Sequence, residues 1–207
     1  MKTKAEKLSI ILYVLYTISL CGCGQKDYDK HYYVLEGERH GPLLKEQRQD
    51  VLDLHRFAIA SVYKSRELVY RTSDHEYKTD FYHELLTSPS VMITDKTRQW
   101  LSRSGLFKAV VDSASNAEAN YILEASIINL YGDFRPDVSA GAVMEIRFFL
   151  LDKKSPDQTI ILTKKYKQSV PLRTKDPESL VRALDKCLEG ILMSLEKDLQ
   201  EKLSTVE

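Results

Sequence analysis

The chain has 207 residues, enough for one domain with a substantial core and too few for two comfortable ones. Thirty Lys and Arg balance thirty Asp and Glu. No basic excess exists to displace counterions from a nucleic acid, which excludes nucleic-acid binding as a main role.

Lys2, Lys4 and Lys7 precede an apolar run from Leu8 to Leu20. A helix of that length spans roughly 20 Å, short of the ~30 Å hydrocarbon core, and Ser9, Thr17 and Ser19 interrupt it. The segment therefore reads as a cleaved signal rather than a spanning helix. It closes on Leu20-Cys21-Gly22-Cys23. Leu20 stands three positions before Cys23, and the small Gly22 stands just before it. Taking Cys21 as the processed residue would put bulky Leu20 where a small side chain is needed. The arrangement resembles the lipobox of bacterial lipoproteins. That resemblance implies a signal peptide over 1–22 and a covalent diacylglyceryl thioether on Cys23, often with a further acyl chain such as palmitate. At ~0.8 kcal/mol per buried methylene, two or three such chains hold a protein on a bilayer almost permanently. Gly24, where an Asp would favour the inner membrane, points to the outer membrane with the domain facing the periplasm. Residues 23–30 then form a lipidated tether and 31–207 a single domain.

Loss of the leader removes three Lys and one Glu, leaving 27 basic and 29 acidic residues, a net charge of −2. Cys187 is then the only free thiol, so no intrachain disulfide can form. It falls on the apolar stripe of a predicted helix and reads as buried and inert.

Along the chain, Tyr32 to Leu35 reads as a short strand and Gly37 to Gln49 as a loop. Val51 to Val62 has β character, but Leu52 and Leu54 are out of phase with Phe57 and Ile59, which predicts a bulge between them. Glu67–Arg71 and His75–Leu86 read as a strand pair joined by Thr72-Ser73-Asp74. Ser88-Pro89 places a cap and a first-turn proline at the start of a helix. That helix runs to about Ser104, with Ile93, Thr97, Trp100 and Leu101 inward and Gly105 as a left-handed stop. Leu106, Phe107, Val110 and Val111 lead back into the core.

Three strands with clear alternation follow. Tyr121, Leu123, Ala125 and Ile127 share one face. Met144, Ile146, Phe148 and Leu150 share another, with Glu145 and Arg147 opposite. Ile160, Leu162, Tyr166 and Val170 share a third. Asp176-Pro177-Glu178 opens a C-terminal helix with cap, proline and acid in order. Its stripe is Leu180, Leu184, Cys187, Leu188, Ile191, Leu195 and Leu199. Because the repeat is not strictly heptad, packing on the sheet is favoured over a coiled-coil partner. The fold class is α+β: an antiparallel-rich sheet with two helices packed on one face, in the order β-β-β-α-β-β-β-α.

Catalytic patterns do not emerge. The chain has no Gly-rich phosphate loop ending in Lys-Ser/Thr and no Gly-x-Ser-x-Gly elbow. His31, His40, His55, His75 and His83 make no metal-ligand spacing, and no cofactor is expected. Asp74, Glu76, Asp80 and Glu84 alternate as a solvated strand face would. The reading is of a protein that is not an enzyme.

Cys23, Tyr32-Tyr33-Val34-Leu35, Val69-Tyr70-Arg71, Glu76-Tyr77, Pro89, Leu101, Gly105-Leu106-Phe107 and Val110 occur in a succession that resembles the ABC-type transport auxiliary lipoproteins, the PqiC-like family. A Trp common in the family between the tyrosine strand and the proline is absent; Tyr82 and Leu85 lie in that stretch. The resemblance implies an anchored accessory subunit of a lipid transport system, docking or capping an MCE-type (mammalian cell entry) substrate-binding protein. The ATPase and permease would be other chains. A homo-oligomeric ring would fit a tunnel-capping role. The alternative is an outer-membrane assembly or secretion lipoprotein unrelated to MCE transport. Leu68, Tyr70, Tyr77, Phe134 and Val138 are the candidate partner contacts, since they combine apolar and aromatic side chains near turns.

Overall fold

The computed structural model describes residues 29–44, 48–155 and 159–205. The leader and Cys23 lie outside the described residues. The strands are β1 (His31–Tyr33), β2 (Val51–Leu54), β3 (Ala58–Ile59), β4 (Glu67–Arg71), β5 (Tyr77–Leu85), β6 (Ala109–Asp112), β7 (Tyr121–Asp133), β8 (Gly141–Asp152) and β9 (Thr159–Pro171). The helices are α1 (Pro89–Ser104) and α2 (Pro177–Ser204), with a 3₁₀ turn at Ser61–Tyr63. The class is α+β, as the patterning predicts. Among the described residues nine strands stand where the expected order has six, five before α1 instead of three and four between the helices instead of three. Of these, β3 is split from β2, and β6 forms where Val110 and Val111 lie parallel to Leu52 and Asp53 of β2.

β7 is the spine. One edge pairs antiparallel with β8 along its whole length, and β8 pairs antiparallel with β9. The other edge is tiled end to end by three short parallel strands: β2 at Leu52–Leu54, β3 at Ala58–Ile59 and β4 at Tyr70–Arg71. β5 lies antiparallel outside β4, and β1 lies parallel outside β5. The sheet is therefore mixed. Its long pairs are antiparallel, as expected, while the N-terminal pieces use parallel pairing that alternation alone does not distinguish.

The phase slip in Val51–Val62 has a direct cause. Leu54 faces Leu123 and Ala58 faces Ser126, so this edge carries one more residue than β7 does over the same stretch. The extra residue opens the ladder into two strands instead of a compact bulge. The freed backbone is satisfied by α1: Phe57 N donates to Thr94 Oγ1 at 3.0 Å, and Ser90 Oγ donates to Phe57 O. A second slip, between Leu150 and Leu151, corrects the expected inward face of β9. Leu162, Tyr166 and Val170 face the core, but Ile160 is turned out and 54% exposed.

α2 lies over β8 and β9, and its predicted stripe is at most 3% exposed throughout. Asp176 caps it by accepting from Ser179 N at 2.8 Å. Gly132 of β7 lets the helix start sit close: a Cβ there would lie 3.0 Å from Leu180 Cδ2. α1 ends at Gly105, whose φ of 74° is left-handed as predicted, although Ser88 makes no side-chain cap bond. The two helices meet at Glu196. Its carboxylate accepts Trp100 Nε1 from α1 at 2.6 Å and the Arg39 guanidinium as a fork at 2.8 and 2.9 Å. Arg39 also donates to the carbonyls of Gly41 and Pro42, which ties the loop after β1 across both helices.

Candidate interaction site

The β4–β5 hairpin and the loop after β7 converge at one end of the sheet. Backbone pairing brings Tyr70 beside Gly132 and Arg71 beside Asp133, and Phe134 N donates to Arg71 O at 2.8 Å. Those links bring the Tyr70 and Phe134 rings together, tilted by 31° with centroids 4.9 Å apart. Tyr77 opens β5 and meets Tyr131 edge-to-face at 5.6 Å, with the Arg71 guanidinium over its ring. Tyr63 stacks on the other side of Tyr131 at 6.4 Å.

Arg135 clamps the two segments. It donates to Asp133 at 2.8 and 2.9 Å and to Asp74 of the hairpin turn at 2.7 Å. Its hydrogen bonds hold both carboxyls below the usual carboxylate range. Burial is the main force pushing the Tyr63 and Tyr70 hydroxyls up from their ordinary value, so both stay neutral phenols. The end of the molecule is thus a set of tyrosine and phenylalanine rings with polar tips, suited to a partner surface that is apolar with scattered hydrogen-bonding groups.

Of the candidate contacts, Tyr77 and Val138 are exposed at 40% and 38%, while Tyr70 and Phe134 are half-buried and touch each other. Leu68 is in the core at 3% exposure. Its place near a turn does not expose it, because Leu68 and Val69 are both buried where the hairpin is irregular at Glu67/Leu68.

That irregularity reveals a feature that residue patterns miss. Glu67 faces Glu84, but the next residue, Leu68, faces Asp80, so Phe81, Tyr82 and His83 bulge from the hairpin. Asp80 builds the bulge. Its Oδ1 accepts Tyr82 N at 3.0 Å and His83 N at 3.2 Å, and its Oδ2 meets Tyr70 OH and His83 Nδ1, each at 2.9 Å. Burial opposes its ionisation, yet these partners outweigh that and hold its pKa down. Glu84, buried between Lys30 and Arg66, is held ionised chiefly by Lys30. The acidic alternation in this stretch is therefore not a solvated face. Asp74 and Glu76 belong to the exposed turn, whereas Asp80 and Glu84 are structural. A sequence signal existed in Asp80-Phe-Tyr-His83, whose carboxylate can bond amides two and three residues on.

Cys187 is fully buried, and burial pushes its thiol up to about 12. Among the described residues, no three His, Cys, Asp or Glu side chains gather in a way that could hold a metal ion. No helix among them is long and apolar enough to cross a membrane.

The fold is an α+β domain whose distinctive side chains sit on a hairpin and its neighbouring loop. The chain belongs to the family of ABC-type transport auxiliary lipoprotein components, whose model matches residues 33–195. Among solved structures it is similar to protein XCC0632 from Xanthomonas campestris, with a TM-score of 0.72 at 15% identity over 84% of this chain and 98% of that one. It is also similar to a structure titled only as an uncharacterized protein, with a TM-score of 0.64 at 15% identity over 83% and 99%. At that identity the likeness is one of fold. No curated protein matches the chain.

Proposed function

We propose that this protein is a non-catalytic accessory subunit of an ABC/MCE-type lipid transport system, anchored by acyl chains on Cys23 to the periplasmic side of the outer membrane. The reading rests above all on family membership, since the matched region starts at residue 33, ten residues beyond Cys23. The ATPase, the permease and the substrate-binding protein are separate chains. The end formed by Tyr70, Tyr77, Phe134 and Val138 docks the MCE-type subunit. The observation that favours this end is the exposed Tyr77 and Val138 beside the half-buried Tyr70 and Phe134 rings, on a framework braced by Arg135 that presents them with little loss of side-chain freedom on binding.

Affinity capture from native membranes tests the proposal. The wild-type chain should recover an MCE-type protein together with the permease or ATPase. A Tyr77→Ala/Val138→Asp variant should lose them with only a modest fall in melting temperature, since Val138 is exposed and Tyr77 gives up its edge contact with Tyr131, worth about 1 kcal/mol. Recovery of only peptidoglycan-linked or pilus components would refute it. Intact-mass measurement of the same preparation should give a chain starting at Cys23 and carrying acyl groups.

A further inference from the structure

Eleven large hydrophobic side chains are exposed among the described residues, and five of them gather around β1 and the β5 bulge: Tyr32, Val34, Phe81, Tyr82 and Leu86. Register places them. Tyr32 lies opposite Glu84 in parallel pairing, and Leu86 N donates to Tyr33 O at 2.8 Å. Tyr32 and Val34 therefore stand on the same side as Glu84 and Leu86. The bulge adds Phe81, 57% exposed, with Tyr82 edge-to-face against it at 5.4 Å. Two cations frame the rings. Lys30 lies 4.2 Å from the Phe81 ring centroid and Arg66 lies 5.7 Å from that of Tyr32, and both also reach Glu84 between them.

A plain hairpin would close without displacing Phe81 and Tyr82 into water, and four hydrogen bonds to Asp80 hold them there. The position along the chain identifies what covers them. Six residue steps separate Cys23 from Asp29, where the described chain begins, and at ~3.6 Å per residue that segment reaches at most about 22 Å. A bilayer holding acyl chains on Cys23 must then lie within that distance of Asp29, two residues before β1. Exposed aromatic rings with Lys and Arg heads beside them are the composition that settles at the headgroup layer, the rings in the boundary and the cations toward phosphate.

We propose that the Phe81–Tyr82 bulge, with Tyr32, Leu86, Lys30 and Arg66, is a second membrane contact that seats the β1/β5 edge in the lipid interface. This rests on the anchoring of Cys23 proposed above and goes beyond it. The contact orients the domain on the bilayer, so that it is not merely tethered.

Depth-resolved fluorescence tests this on the full protein purified from its membranes. Phe81→Trp and, separately, Ile160→Trp are placed in vesicles of phosphatidylethanolamine and phosphatidylglycerol, with and without brominated acyl chains. Ile160 is equally exposed but sits on β9, at the opposite edge of the sheet. The emission of buried Trp100, measured in the unsubstituted protein, is subtracted, and circular dichroism of each variant checks that the fold is intact. The expected result is a blue shift and strong bromine quenching for Trp at 81 and neither for Trp at 160. Emission at 81 that stays at its aqueous wavelength and unquenched overturns the proposal, as does equal quenching at both sites. Mass analysis of the same samples separates the two readings. Acylated Cys23 with unquenched Trp at 81 rejects this contact alone, whereas quenched Trp at 81 without acylation rejects the anchor and keeps the contact.

Discussion

Replacing Asp80 probes the hairpin bulge most directly. In the Ala variant, two backbone N–H groups (Tyr82 and His83), the Tyr70 hydroxyl and the His83 ring lose their acceptor together. The carboxylate is 17% exposed, so water replaces it only in part. Each hydrogen bond to a charged group contributes about 1.5–3 kcal/mol, and the exposed bulge amides recover most of theirs from water. The unrecovered part centres on Tyr70, which is half-buried, giving a cost of about 3 kcal/mol. At about 2–4 °C per kcal/mol for a domain of this size, the melting temperature should fall by roughly 9 °C. Asp80→Asn keeps an acceptor for the two amides, and its NH₂ can donate to the Tyr70 oxygen, so its cost should be about 1 kcal/mol. The pH dependence follows from the depressed folded pKa. The stabilisation is complete above the unfolded carboxylate value of about 3.9 and is lost as pH falls through the folded pKa. The Ala penalty should therefore shrink in acid below about pH 4. Urea unfolding at neutral and acid pH measures all of this. An Ala variant no less stable than the Asn variant, or a penalty indifferent to acid, would refute the reasoning.

Asp185 should behave in the opposite sense. Burial raises its pKa to about 6 despite the hydrogen bond it accepts from Glu36 N at 2.7 Å. The folded state then holds a proton that the unfolded chain releases between about pH 4 and 6, and stability declines as pH rises through that window. Asp185→Asn should be more stable than wild type by about 1 kcal/mol at pH 8, with the gain gone by about pH 4 in denaturant titrations. The Arg39–Glu196 pair, with side chains 7% and 13% exposed, should show strong coupling. Arg39→Ala alone should cost about 3 kcal/mol by stranding the carboxylate, and Arg39→Ala/Glu196→Gln should cost clearly less than the two single changes added, as read by a double-mutant cycle. The Cys187 thiol, with its pKa pushed up to about 12, should be alkylated only when the core opens, so its labelling rate should track global unfolding across denaturant.

The extent to which the sequence could be read varies along the chain for physical reasons. The end of α1 and the start of α2 were legible because glycine, cap and proline act within one turn: Gly105 and Asp176 stand where their local chemistry requires. β7 and β8 were legible because each runs long enough to repeat its alternation. Of the residues singled out near turns, Tyr77 and Val138 are exposed, Tyr70 and Phe134 are half-buried, and Leu68 lies in the core where the hairpin register slips beside it, which no residue pattern shows.

What the residues determined alone was the two helices, the long strands and the buried stripe of α2, since these rest on periodicities and caps within short windows. Pairing between distant segments was left to the tertiary structure. It tiled β2, β3 and β4 along one edge of β7, turned Ile160 outward and lifted Phe81 and Tyr82 out of the hairpin. A slip of one residue exchanges the two faces of a strand, and whether it occurs depends on partners such as Thr94, Ser90 and Tyr70 that are far away in sequence or across a turn.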